Sequence, residues 1–113
     1  MKKSREFMVF YRDYVHDVSI SSANPEPLAG DRLVPLAEQL LADPDNYLGV
    51  EDQKHTVLQL YANDDNSVIL ELTYPESKGC LRLKRTRRQA MEILARLPSV
   101  FEDGLLPGAN YVG

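Results

Sequence analysis

The stretch 55-HTVLQLYANDDNSVILELTYPESKGCLRLK-84 decides the fold. It holds three apolar-rich runs, His55–Ala62, Ser67–Tyr74 and Gly79–Lys84. Asn63-Asp64-Asp65-Asn66 and Pro75-Glu76-Ser77-Lys78 separate them, and both have the composition of turns. Side chains alternate across a strand, so Leu58, Leu60, Val68, Leu70, Leu72, Leu81 and Leu83 share one face. If the runs form an antiparallel meander, keeping those residues together sets the register: Leu60 pairs near Leu70, and Leu72 near Leu81. On the opposite face Gln59, Glu71 and Arg82 form one cross-strand row, Tyr61, Ile69 and Lys84 the next, and Val57, Thr73 and Cys80 a third. That face is half apolar. It is either covered by the N-terminal segment or offered to another chain, a second copy in a homodimer included.

Working outward, Tyr47–Val50 reads as a further strand, and two helices flank the sheet. The first has Asp31 as N-cap, an apolar stripe of Leu33, Leu36, Ala37, Leu40 and Leu41, and Pro35 within its first turn. Asp43-Pro44-Asp45-Asn46 ends it. The second starts at Thr86 with Gln89 in capping-box spacing, buries Ala90, Ile93, Leu94 and Leu97, and stops at Pro98. Between Phe7 and Ile20 two readings compete. Phe7, Phe10, Tyr11, Tyr14, Val15 and Val18 have helical spacing, yet the Phe, Tyr and Val content suits strands, and one or two strands are preferred. Ser21–Gly30, with Pro25 and Pro27, reads as a loop. From about residue 99 the chain reads as an irregular tail, pinned by Phe101, Leu105 or Tyr111. The expectation is one α+β domain over residues 1–113, an antiparallel sheet of four to six strands with two helices packed on one face.

An apolar content of 43% in 113 residues is enough for one core. Cys80 is the sole cysteine, so the chain has no internal disulfide and suits a reducing compartment. Met1, Lys2 and Lys3 are followed by Arg5, Glu6, Arg12 and Asp13, which leave no apolar run for a signal peptide. No stretch approaches the roughly 20 apolar residues of a membrane span. The expected location is the cytoplasm.

The net charge of −4 is unevenly spread. Asp43, Asp45, Glu51, Asp52, Asp64, Asp65, Glu71 and Glu76 face only Lys54, a local balance of −7. Arg82, Lys84, Arg85, Arg87, Arg88 and Arg96 face only Glu92, a balance of +5. Arginines at a helix start oppose its dipole, which suggests that they serve something outside that helix. Lys84, Arg85, Arg87 and Arg88 are therefore an alternative anion-binding set, for nucleic acid or a phosphate ligand. The acidic net charge and the lack of a nucleic-acid-binding motif argue against it.

The residues offer no catalytic constellation. His16, His55 and Cys80 fit no metal-ligand spacing, Gly30, Gly49 and Gly79 form no phosphate loop, and the acids lack the order of a calcium loop. Cys80 would be a reactive thiol if Arg82 and Lys84 lowered its pKa. No metal, no cofactor and no enzymatic activity are expected.

The runs Asn46-Tyr47-Leu48-Gly49-Val50, Thr56-Val57-Leu58-Gln59-Leu60-Tyr61 and Val68-Ile69-Leu70-Glu71-Leu72, followed by a capped helix, resemble small bacterial immunity proteins of polymorphic or contact-delivered toxin systems. The resemblance spans residues 46–97 and is one of pattern; the chain lacks the tryptophan that some of those families carry near the C-terminus. It implies a cytoplasmic α+β domain without an active site that neutralises a toxin by direct binding, and no site residue carries over. Combined with the charge pattern, it makes Asp43, Asp45, Glu51, Asp52, Asp64 and Asp65 the expected contacts for a basic protein partner.

Overall fold

A computed structural model describes residues 5–113; Met1, Lys2 and Lys3 of the leader argument lie outside the described residues. The strands are β1 (Glu6–Asp13), β2 (Val18–Ile20), β3 (Glu26–Ala29), β4 (Tyr47–Glu51), β5 (Val57–Ala62), β6 (Ser67–Thr73), β7 (Cys80–Thr86) and β8 (Asn110–Val112). The helices are α1 (Leu33–Leu40) and α2 (Arg87–Ala95). All strands join one antiparallel sheet in the order β2-β1-β4-β5-β6-β7-β8, with β3 beside β2 along the outer edge of β1. The class is α+β. The sheet has eight strands where four to six were expected.

The central register follows the leucines. Leu60 pairs with Leu70 and Leu72 with Leu81, while Gln59–Glu71–Arg82 and Tyr61–Ile69–Lys84 form rows on the other face. Leu48, Val50, Leu58, Leu60, Leu70 and Leu72 are fully buried under Leu33, Ala37 and Leu40 of α1 and Ala90 and Leu94 of α2, in one core. β1 settles the competing readings at Phe7 in favour of strand. Pairing with β3 and β4 satisfies its backbone on both edges, and Phe7, Val9 and Tyr11 alternate toward the core. Phe10 points the other way and lies across Gly49, where an added Cβ would come within 2.0 Å of the ring. Phe10 and Ile69 on the outer face are each only 8% exposed, while Thr73, Arg82 and Lys84 on it are exposed; the N-terminal segment joins the sheet as β1 and does not cover that face.

Three local expectations need correction. Asp31 does not cap α1; it lies in a 3-10 turn, Gly30–Arg32, that leads into the helix, and Arg32 holds the cap position without a side-chain bond. Glu26–Ala29 is an edge strand rather than loop. The tail from about residue 99 is not irregular throughout, because Asn110–Val112 pairs with β7 as β8; Phe101 pins it as expected, joined by Leu106, both 1% exposed, whereas Tyr111 sits outward. The capping box at Thr86 is present in both halves: Gln89 N–H donates to Thr86 Oγ1 at 3.1 Å, and Thr86 N–H to Gln89 Oε1 at 3.0 Å.

Candidate functional site

Register divides the six singled-out acids between opposite ends of the sheet. Tyr47 pairs with Tyr61 and Ala62 with Val68, so the Asp43–Asn46 loop and the Asn63–Asn66 turn share one end. Glu51 pairs with Val57 at the other end, which puts Glu51 and Asp52 about 14 Å away at ~3.4 Å per residue. The β1–β2 hairpin joins the first end, because Tyr14 N–H donates to Asn46 Oδ1 at 2.8 Å. The start of α2 joins it as well, through the Ser67–Thr86 pair.

The acids do different work. Asp52 is 3% exposed and fully engaged. Its Oδ1 accepts from the backbone of Lys54 and Thr56, each at 2.9 Å, and its Oδ2 from Phe101 N–H at 2.7 Å, so it staples the β4–β5 turn to the tail. Glu51 lies 3.4 Å from the His55 ring. Asp65 pairs with Lys84 Nζ at 2.8 Å and accepts from Ser67, and these hydrogen bonds hold its carboxyl well below the usual carboxylate range. Asp43 accepts from Asp45 N–H at 2.8 Å, which shapes the loop. Asp43, Asp45 and Asp64 have no ion-pair partner among the described residues. All three sit at the hairpin end.

The basic run does not converge on one point. Lys84 faces Asp65; Arg85 donates to Lys84 O and Pro107 O; Arg88 reaches Glu92 at 3.5 Å. Arg87 donates to Leu41 O at 2.6 Å and Asn66 Oδ1 at 2.9 Å. Leu41 ends α1, so the guanidinium that opposes the dipole of α2 complements the C-terminal end of α1.

Catalytic chemistry finds little to build on. Cys80 and His16 lie at opposite ends of the sheet and toward opposite edges, with four strand spacings of ~4.8 Å between them across it alone. Burial and Glu71 push the Cys80 thiol up, and Arg82 only partly offsets them, so it stays protonated at neutral pH rather than becoming the reactive thiol considered above. No group of three or more His, Cys, Asp or Glu side chains is placed to hold a metal among the described residues.

The cluster that sequence reasoning missed lies under the β1–β2 hairpin. Asp13, 1% exposed, accepts from Val15 N–H at 3.0 Å, His16 N–H at 3.1 Å, Asn46 Nδ2 at 3.2 Å and Gln39 Nε2 at 3.3 Å, and its Oδ2 lies 2.8 Å from His16 Nδ1. Burial pushes this carboxyl up, but the bonds from His16 and Gln39 outweigh it and hold the pKa down to about 2. The only advance signal was an acid at the end of an aromatic run, three residues before a histidine. A carboxylate can orient an imidazole in this way for catalysis, but no hydroxyl or thiol is hydrogen-bonded to His16 among the described residues. The arrangement therefore fixes a hairpin. No family model, curated protein or solved structure matches this chain.

Proposed function

We propose that the chain works by binding a protein partner and covering its surface, as an immunity protein neutralises a toxin, with no catalytic step of its own. The observation that carries this reading is the gathering of Asp43, Asp45 and Asp64 at one end of the sheet, from two loops distant in sequence, none of them with an ion-pair partner among the described residues. Like charges left together repel one another, and a basic partner relieves that repulsion. Asp52 takes no part because it is buried, and Glu51 lies at the other end. Asp65 contributes through its pair with Lys84. The complex is taken to be cytoplasmic: the lone Cys80 suits a reducing compartment, and no described helix is long and apolar enough to cross a membrane.

Co-expression with the products of the two genes flanking its own tests the reading. The expected result is protection of the cell from one of them and a complex that survives size-exclusion chromatography. Absence of both protection and complex overturns it. Tight, salt-sensitive binding to nucleic acid that weakens on neutralising Arg85, Arg87 and Arg88 would replace it with the phosphate-binding alternative.

A further inference from the structure

The exposed apolar side chains of this domain are not spread evenly. Five large hydrophobic residues stand out in water among the described residues, and three of them, Tyr14, Val15 and Val18, at 57%, 63% and 45% exposure, occupy the β1–β2 hairpin. The other two, Tyr111 and Val112, sit on β8 at the far edge. The hairpin turns beyond the last β1–β2 pair, Asp13–Val18, and Tyr14–Val18 are all exposed.

This tip is also held firmly. Asp13 ties its backbone from beneath, Asn46 takes the Tyr14 N–H, and the Arg12 guanidinium lies 4.7 Å from the centroid of the Tyr14 ring. A buried carboxylate with this many donors is a substantial commitment for a four-residue turn that shows apolar groups to water. Fixed geometry lowers the ordering cost of association, and a convex apolar knob gains most by filling a pocket. Asp17 in the turn is exposed and lies 3.9 Å from Arg12, and Asp43 and the exposed Asp45 and Asp64 stand at the same end of the sheet.

Resting on the partner-binding reading above, we infer that the Tyr14–Val18 tip is the apolar anchor of the interface. It inserts into a concave apolar cleft of a protein partner whose rim is basic. Tyr14 and Val15 fill the cleft, and the surrounding acids meet its rim. This is the usual division between an anchoring centre and a charged margin.

The experiment measures binding of the wild-type chain, Val15→Asp, Tyr14→Ala and Val112→Asp to each purified flanking-gene product by surface plasmon resonance. Circular dichroism melts check that the variants fold; Tyr14 and Val15 are exposed, so melting should hold, and Tyr14→Ala introduces no charge should Val15→Asp disturb the turn. The expected result is a Kd raised about 30-fold or more by either tip substitution, mainly through faster dissociation, with Val112→Asp within about twofold of wild type. Wild-type binding that both tip variants keep within about threefold overturns the anchor and leaves the partner-binding reading standing. A wild-type chain that binds neither product overturns both.

Discussion

Asp13 and Leu70 show how differently single residues hold this domain. Asp13 has its pKa depressed to about 2 by hydrogen bonds that exist only in the folded chain, against an ordinary value of 3.8. A depressed carboxyl contributes stability that is fully present above the unfolded pKa and is lost as pH falls through the folded one. The wild-type melting temperature should therefore exceed that of Asp13→Asn by a constant margin above about pH 5, and the margin should close between about pH 4 and 2. Melts from pH 7 to 2 check this, and a margin that persists at pH 2 would mean that the carboxylate charge is not what holds the hairpin. Leu70 works through burial: it is 0% exposed at the centre of the sheet, and Leu70→Ala should cost about 2–5 kcal/mol in urea unfolding. Glu71, next to it on the outer face, is 17% exposed and accepts from Arg82 Nε at 2.7 Å and Tyr61 Oη at 3.2 Å. Glu71→Ala removes a half-sheltered charge-assisted contact and should cost about 1–2 kcal/mol, more than an open surface pair but less than the leucine. Equal losses from the two substitutions would mean that the two faces contribute alike.

At the scale of elements, β1 and β4 are coupled by a missing side chain. Phe10 pairs with Gly49, and its ring occupies the space a Cβ would need, with three ring atoms within 2.4 Å of that position. Gly49→Ala should lower stability by about 1–3 kcal/mol because the ring must leave, exposing apolar surface and losing its edge contact with Tyr47. Combining it with Phe10→Leu should cost less than the sum of the single changes, as a double-mutant cycle by urea denaturation would show; strict additivity would place the strain elsewhere. Neither partner was legible as half of a pair, since the sequence leaves the β1–β4 register open. The meander from β5 to β7 was legible because alternating leucines on a buried face admit one register. β2, β3 and β8 are three or four residues long, too short for alternation to show, and exist because a neighbour completes their hydrogen bonds. Pro25 and Pro27 pointed to a loop, yet Pro27 sits within β3, because an edge strand tolerates proline where a central one does not. The acids were visible by composition alone. That Asp52 turns inward to the Phe101 backbone depends on where a distant tail docks, and no local pattern carries that information.

Over the whole molecule, 39 × 33 × 27 Å, the distances between charges decide which of them act together. The Debye length is about 8 Å at physiological ionic strength, while β6 alone separates the two ends of the sheet by about 20 Å over seven residues. A charge at the β6–β7 turn is thus screened from a partner docking at the hairpin end, and Glu76, exposed in that turn, serves as an internal control for Asp43, Asp45 and Asp64. Charges on the margin of an interface steer encounter more than they resist separation. Reversing all three acids to lysine should slow association about tenfold at 50 mM salt while changing dissociation by no more than about threefold, and the difference should nearly vanish at 1 M salt, where the Debye length is about 3 Å. Glu76→Lys should leave both rates as they are. Stopped-flow or surface plasmon resonance kinetics on the partner complex at several salt concentrations would read this directly. An equal slowing by Glu76→Lys would mean that net charge alone drives capture, and a loss confined to dissociation would mean that these acids make close contacts in the docked state. The tip substitutions are expected to do the reverse, leaving association nearly unchanged and shortening the life of the complex, because Val15 and Tyr14 act only after the surfaces have met.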